Sequence, residues 1–168
     1  MGSCELFVNK MTIEIITGSL LDAKEKYIAH QCNCISNGAS GIAKAIFDRF
    51  TYSDSYSLRT TRDVPGTIKV FGDDQNRYII NLFSQYYPGS SLKSGSDSEE
   101  ARQKYFHGCL VKVSKIPNLE SIAFNWKIGC GLAGGDWKYY LGTLENFAKY
   151  IDEKQGAKVA IYKRPEDD

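Results

Sequence analysis

Two glycine-rich segments of this chain could bind an anion. The first glycine segment is residues 37–42 (NGASGI), and the second is residues 129–135 (GCGLAGG). Glycine lets the backbone adopt positive φ angles and approach a ligand closely, and free N–H groups at the start of a helix bind anions without a lysine or an arginine. Either segment alone could be no more than a tight turn. The two together predict a site for a diphosphate.

The second segment also matches the dinucleotide-binding pattern G-x-G-x-x-G, through Gly129, Gly131 and Gly134. That pattern belongs in the first strand–turn–helix unit of a large sheet. Here a single predicted strand follows it, so too little chain remains to complete a nicotinamide or flavin fold. We therefore expect no cofactor.

Residues 30–34 (HQCNC) lead into the first glycine segment and carry reactive side chains. His30 could act as a general base, an acid or a nucleophile, or it could be purely structural. Asn33 suits a ribose hydroxyl because an amide both donates and accepts, and Asp136 is the nearest carboxylate after the second segment. The His-x-Cys-x-Cys spacing lacks a clear fourth ligand, so we expect no zinc site.

Strands and helices alternate along the chain. Runs of β-branched and apolar residues predict strands at 11–17, 27–32, 66–71, 77–83, 121–124 and 158–162, with a further short edge strand at 6–8. A 3.6-residue period and capping residues predict helices at 42–50, 97–113 and 137–151. Each glycine segment then joins a strand to a helix. This order predicts an α/β protein with three layers, α/β/α, around a mixed, mostly parallel sheet.

Composition narrows the function classes. The chain has 168 residues, of which 42% are hydrophobic and 24% charged, and a formal net charge of +1. This charge creates no field that would attract nucleic acid or an anionic membrane, and no apolar run is long enough to span a bilayer. Five scattered cysteines are typical of reduced thiols. We expect a cytoplasmic or nuclear monomer, a single domain over 1–168 with an N-terminal extension at 1–10 and an acidic tail at 163–168.

Three stretches resemble the macro domain family: residues 18–50, residues 77–89 (RYIINLFSQYYPG) and residues 128–137 (IGCGLAGGDW). Within that family, HQCNC followed by GIA is similar to the yeast ADP-ribose 1''-phosphate phosphatase group, and IGCGL is similar to the human terminal ADP-ribose glycohydrolase group. The resemblance implies a small-molecule partner, ADP-ribose or its 1''-phosphate, or an ADP-ribosylated macromolecule.

The resemblance also implies a ligand-binding cleft. In it, Asn33 and the first glycine segment meet the distal ribose, and the second segment wraps the phosphates. Tyr162 could stack a base. The expected ligand-binding residues are Ser19, Leu20, Asn33, Gly38, Ser40, Gly41, Ile42, Gln85, Gly129, Cys130, Gly131, Leu132, Ala133, Gly134, Gly135 and Tyr162.

The chain departs from the family pattern at three positions. Ser19 follows Gly18, where the family commonly has an aspartate for the adenine amine, which leaves Asp22 or a water-mediated contact. In the glycohydrolase group a lysine and an aspartate carry covalent chemistry, whereas Gln85 and Ala133 stand at those positions here. We therefore expect no lysine adduct.

These departures leave phosphate removal from ADP-ribose 1''-phosphate as the predicted reaction. His30 would be its base or nucleophile and Asp136 its acid, with loop amides stabilising the developing charge. The alternatives are a reader that binds ADP-ribose without turnover, and a hydrolase that removes ADP-ribose from modified macromolecules.

Overall fold

A computed structural model describes residues 12–167. Its strands are β1 (Ile13–Thr17), β2 (Tyr27–Asn33), β3 (Thr67–Phe71), β4 (Tyr78–Gln85), β5 (Ser121–Asn125) and β6 (Lys158–Lys163). Its α-helices are α1 (Gly41–Arg49), α2 (Glu99–Ser114) and α3 (Trp137–Gln155), and short 3₁₀ turns lie at Leu20–Asp22, Thr51–Ser53 and Pro165–Asp167. Each of these strands and α-helices was expected from the sequence. The edge strand predicted at 6–8 lies outside the described residues.

The strands form one sheet in the order β1-β6-β5-β2-β4-β3. All neighbouring pairs are parallel except β3 with β4. This confirms the prediction of a mixed, mostly parallel sheet. Among the described strands, the antiparallel pair β3 and β4 is joined by a short turn that begins at Gly72, where φ is +111° and a Cβ would collide with the carbonyl oxygen of Arg77.

Helices cover the sheet on both faces, which confirms the three-layer prediction. Side chains from α2 and α3 pack with Ile80 and Leu82 of β4 in one apolar cluster. Side chains from α1 pack with Ile79 and Phe83, the alternate residues of the same strand, in the other. The period-2 alternation of a strand thus supplies apolar side chains to both layers.

The two glycine segments leave the sheet from neighbouring strands. The first follows β2 and leads to α1 on one face, and the second follows β5 and leads to α3 on the opposite face. Strands β2 and β5 are adjacent and parallel. The connections that leave these two adjacent strands therefore run to opposite faces of the sheet. Open α/β sheets have a crevice for ligands at such a place, at the carboxyl edge of the strands.

None of the helices within residues 12–167 combines the length and the apolar character needed to cross a membrane.

Candidate functional site

A cleft of about 440 Å³ lies at the carboxyl edge of the sheet, where the chain leaves β2 and β5 toward opposite faces. Its size is in the range of small-molecule sites. The walls come from the carboxyl ends of β2, β4, β5 and β6 and from both glycine segments. The lining residues are Gln31, Asn33, Gly38, Ser40, Gly41, Ile42, Ala43, Tyr56, Gln85, Pro88, Gly89, Asn125, Trp126, Lys127, Gly129, Cys130, Gly131, Leu132, Ala133, Arg164 and Asp167.

The structure brings together most of the residues assigned to ligand binding from the sequence. The two segments approach each other so closely that a Cβ at Gly41 would lie 3.4 Å from Cδ1 of Leu132. Both therefore border one hollow, as a shared diphosphate site requires. The assigned residues that line the cleft are Asn33, Gly38, Ser40, Gly41, Ile42, Gln85, Gly129, Cys130, Gly131, Leu132 and Ala133.

Five assigned residues do not line the cleft. The hydroxyl of Ser19 accepts a hydrogen bond from the amide of Leu21 at 3.2 Å, and Leu20 is buried in the core. The hydroxyl of Tyr162 donates to Glu25 at 2.7 Å. The other two, Gly134 and Gly135, shape the second segment from behind the cleft: their amides donate to the carbonyls of Gly131 and Gly129.

Asp22 was expected to substitute for the aspartate that binds the adenine amine in the macro domain family. It also lies outside the cleft lining. Its carboxylate pairs with Arg49 at 3.3 Å on the surface. A direct contact from Asp22 to a base in the cleft is therefore not part of this geometry.

His30 is fully buried and does not line the cleft. The amide nitrogen of Asn81 donates to the carbonyl of Ser53, so its Oδ1 accepts from Nε2 of His30 at 2.7 Å. The imidazole also packs edge-on against Phe47 of α1. Burial lowers the pKa of His30 to about 4. This placement is that of a neutral structural histidine and argues against contact with a ligand.

Asp136 is exposed at the start of α3. Its side chain accepts a hydrogen bond from the amide of Lys138 at 3.1 Å and so caps the helix. Asp136 is not among the cleft residues either. The pair of catalytic residues expected from the sequence is thus not assembled in the cleft.

Asn33 is held firmly at the end of β2. Its Oδ1 accepts from the amides of Ile35 and Ser36 at 3.1 and 2.9 Å. Its own amide donates to the hydroxyl of Tyr56 at 2.6 Å, and its carbonyl accepts from Arg59 at 3.0 Å. Since Oδ1 accepts from two backbone amides, the orientation of the side-chain amide is fixed. Its NH₂ group has no partner within residues 12–167 and can donate to a ligand.

The start of α1 also has unused polar groups. Ser40 occupies the N-cap position, yet its side chain makes no capping hydrogen bond. In contrast, Ser98 at the start of α2 accepts from the amide of Ala101. The first N–H groups of a helix carry a partial positive charge, so the start of α1 can receive an anion from the cleft.

The second glycine segment packs tightly on α3. Gly129 has a φ of +79°, and a Cβ there would lie 2.8 Å from the ring of Tyr140 and 3.0 Å from Oε1 of Gln31. Gly131 has no heavy atom within 4 Å of such a Cβ. The segment is thus anchored at its first glycine and open toward the cleft two residues later.

A buried ion pair fixes residues 86–90, of which Pro88 and Gly89 line the β4 end of the cleft. Arg102 of α2 contacts Asp97 at 2.7 Å, and both side chains are essentially inaccessible. The guanidinium also donates to the carbonyls of Tyr87 and Gly89, while the Asp97 carboxylate accepts from the amides of Tyr86 and Tyr87. Sequence reasoning missed this pair because neither residue lies near a glycine segment.

The opposite end of the cleft was also missed. Asn125 and Trp126 follow β5, and Lys127 adopts a left-handed φ of +57° that turns the chain into the second segment. Arg164 and Asp167, which lie in the stretch expected to be an acidic tail, pair at 3.1 Å on the cleft wall. The sequence gives only a weak signal for this end of the cleft, a short Asn-Trp-Lys run between the strand and the glycine segment.

Three cleft residues carry buried polar atoms that have no hydrogen-bond partner within the described chain. These atoms are Oε1 of Gln31, Oδ1 of Asn125 and Nε1 of Trp126. Buried polar groups are normally satisfied. These atoms are three of the six such side-chain atoms in the described chain; the other three belong to Arg59 and Arg77, outside the cleft lining.

The thiols of the site are not activated. Burial raises the pKa of Cys130 to about 12, and its Sγ donates to the carbonyl of Ile128. Cys32 lies 3.7 Å from the His30 ring in the core. Within residues 12–167, no group of three or more His, Cys, Asp or Glu side chains could hold a metal ion.

No model of a known protein family matches the sequence. A curated protein of Enterobacteria phage T4, the uncharacterized 17.5 kDa protein in the tk-vs intergenic region, is 23% identical over 154 residues, which are 84% of this chain and 94% of that protein.

Several solved structures resemble this chain in fold over most of its length. The macrodomain of Mycobacterium tuberculosis DarG superposes with a TM-score of 0.64 at 20% identity, over 89% of this chain and 96% of that one. A macrodomain protein from Streptomyces coelicolor gives 0.63 at 20% identity, over 90% and 98%. A protein of unknown function from Bacteroides thetaiotaomicron gives 0.65 at 24% identity, over 92% and 99%. The chain therefore has the macrodomain fold.

Proposed function

We propose that this protein binds ADP-ribose, or a close derivative of it, in the cleft between the two glycine segments. One observation carries the proposal: both glycine segments line the same cleft, at the carboxyl ends of the adjacent strands β2 and β5. The macrodomain fold and the resemblance of the motifs around the segments support the same ligand.

The diphosphate would lie between the start of α1 and the second segment. Amides at a helix start hold phosphate without a basic side chain, and the unused hydroxyl of Ser40 can add one hydrogen bond. Lys127 and Arg164 stand on the β5–β6 side of the cleft and can strengthen binding of an anion.

The two ends of the cleft suit the two ends of the ligand. The ends of β6 and β4 are separated by three strand spacings, roughly 14 Å, which is room for an elongated molecule. The terminal ribose would lie toward Asn33 and Gln85, where the free NH₂ of Asn33 can donate to a hydroxyl. The adenosine would then lie toward Trp126 and Arg164.

The cleft favours binding without turnover over the phosphatase reaction. A phosphatase with a side-chain base needs that base beside the ligand, and His30 is buried elsewhere. Asp167 is the sole carboxylate among the lining residues, and its hydrogen bond with Arg164 lowers its pKa, which makes it a weaker base. We therefore propose a reader of ADP-ribose.

Calorimetry with ADP-ribose, run beside an assay of phosphate release from ADP-ribose 1''-phosphate, tests both parts of the proposal. The wild-type protein should bind one equivalent of ADP-ribose and release no phosphate above the uncatalysed background. If millimolar ADP-ribose produces no binding signal, the proposed ligand is wrong. If phosphate is released, the reader proposal is wrong and the phosphatase interpretation is restored.

A matched pair of glycine variants places the ligand. Gly131→Leu puts a side chain into the cleft at a position without close neighbours, whereas Gly142→Leu adds the same side chain to α3, also without close neighbours. The first variant should lose more than tenfold in affinity, and the second should bind like the wild type. Equal affinities for the two variants would move the ligand out of this cleft.

A further inference from the structure

Two of the charged side chains that line the cleft are paired with each other. Among the described residues, the charged members of the lining are Lys127, Arg164 and Asp167. The Arg164 side chain is 60% exposed and that of Asp167 is 25% exposed, so a ligand can reach both. The cleft thus offers two cations to an anionic ligand, and one of them is already bound to a carboxylate.

The carboxylate of Asp167 binds the guanidinium of Arg164 through two hydrogen bonds. Nε of Arg164 donates to Oδ2 at 3.3 Å, and Nη2 donates to Oδ1 at 3.1 Å. A guanidinium binds a phosphate through paired donors of the same kind. The carboxylate therefore occupies the edge of Arg164 that a phosphate would use.

The backbone holds Asp167 in place without help from the guanidinium. Asp167 ends the 3₁₀ turn Pro165–Asp167, and its amide donates to the carbonyl of Arg164 at 2.9 Å. Its Oδ2 also accepts from the backbone amide of Arg164 at 3.0 Å. If the guanidinium leaves, the carboxylate keeps this hydrogen bond and its access to solvent. Exchange of Arg164 to another partner therefore needs a side-chain rotation and no change of the turn.

Arg164 lies near the part of the cleft proposed for the diphosphate. The amide of Trp126 donates to the carbonyl of Tyr162 at 2.9 Å, so the end of β6 lies directly beside the residues that lead into the second glycine segment. Arg164 follows two residues later and lines the same cleft as Gly131. An exposed ion pair contributes little to stability, and a diphosphate carries more negative charge than one carboxylate. A bound phosphate can therefore displace Asp167 from Arg164.

We propose that Asp167 competes with the ligand for Arg164. In the free protein the guanidinium is held by Asp167, and on binding it moves to a phosphate oxygen of the ligand. This inference rests on the proposed binding of ADP-ribose. Asp167 thus lowers the affinity of the cleft for its ligand, whereas Arg164 raises it.

Calorimetry with ADP-ribose tests the inference at about 0.15 M salt, where exposed charges more than about 8 Å apart are largely screened from each other. Asp167→Asn keeps the shape of the side chain and removes its charge. It should bind ADP-ribose about three- to tenfold more tightly than the wild type, because Arg164 no longer has to leave a carboxylate. Arg164→Met should bind about three- to tenfold more weakly.

Glu166→Gln is the matched control. It removes the same charge from the same turn, at an exposed position outside the cleft lining. Its affinity should stay within about twofold of the wild type, since screening weakens any effect through solvent. A gain as large as that of Asp167→Asn would show that only the net charge of the turn matters, which overturns the inference.

A double variant separates competition from direct repulsion of the ligand. With Arg164→Met in place, Asp167→Asn should change the affinity by less than about twofold, because no guanidinium remains to compete for. Equal gains in both backgrounds would mean that Asp167 acts on the ligand itself, and wild-type affinity in either single variant would mean that the pair has no part in binding. Each of these results overturns the inference. If the wild type does not bind ADP-ribose, the proposed function fails before any variant is measured.

A second measurement follows the guanidinium in the wild-type protein. Its side-chain NMR signals are assigned by their loss in Arg164→Met. Saturation with ADP-ribose should shift these signals, since the partner of the guanidinium changes from a carboxylate to a phosphate. Signals that keep their positions at saturation would show that Arg164 stays with Asp167, and the inference would be wrong.

Discussion

Alanine at Gly129 should destabilise the protein strongly, whereas alanine at Gly131 should not. At Gly129 the φ of +79° is a left-handed conformation that costs an alanine about 1–2 kcal/mol. The new methyl group would also lie 2.8 Å from the Tyr140 ring, and overpacking of this kind costs about 1–3 kcal/mol. The sum is about 2–5 kcal/mol of the free energy of unfolding.

Urea unfolding followed by fluorescence measures this difference, and thermal unfolding gives an independent check. For a chain of this length, the expected loss corresponds to a fall in Tm of about 4–20 °C. Gly131→Ala is the matched control because its Cβ would have no neighbour within 4 Å. If the two variants unfold at the same urea concentration, the second segment is not anchored at Gly129 in the way described, and the argument for its shape is refuted.

Three further predictions concern stability. Arg102→Met should lower the free energy of unfolding by about 3–5 kcal/mol in urea titrations, because it leaves a buried carboxylate unpaired; a loss under 1 kcal/mol would contradict this. The folded-state pKa of His30 is about 4, below the ordinary 6.5. The contribution of His30 to the free energy of unfolding is therefore complete above pH 6.5 and is lost as the pH falls toward 4. Urea titrations across that window should show about 3 kcal/mol of pH-dependent stability that disappears in His30→Gln. It should persist in His107→Gln, which replaces the other histidine of the chain, in α2; the same pH profile in both variants would exclude this origin. Ser98→Ala should cost about 1 kcal/mol, whereas Ser40→Ala should stay within about 0.5 kcal/mol of the wild type, since only the Ser98 side chain caps its helix; equal losses would show that Ser40 caps α1 in solution.

The fold could be predicted from the sequence because its signals are local. Strands such as β4 are runs of apolar residues bounded by polar turns, and Ser98 marks the start of α2 by its capping side chain. Glycines at strand ends located both segments of the cleft. The order of strands in the sheet is not local, and it needed the structure.

The sequence does not show which face of β2 opens to the cleft. His30 and Cys32 lie on one face, against α1, and Gln31 lies on the other. Alternation tells which side chains share a face and not which face opens to the cleft. The sequence therefore favoured the chemically conspicuous His30, while Gln31 and Asn33 are the residues that line the hollow.

The far end of the cleft could not be predicted because its parts are distant in sequence and lack a pattern. Trp126 and Arg164 line the same cleft only because β5 and β6 are neighbours in the sheet. Residues 164–167 have an acidic composition that is typical of a solvated tail, and nothing local shows that Arg164 and Asp167 form a wall of the cleft.

The position of Asp167 has a practical consequence for experiments with this protein. Since Asp167 lies at the cleft wall, a bulky label attached to this residue would sit at the rim of the site. Such a label would obstruct ligand entry and add its own groups to the opening. Titrations should therefore compare protein labelled at residue 167 with unlabelled protein, and an affinity that depends on the label would locate the opening directly.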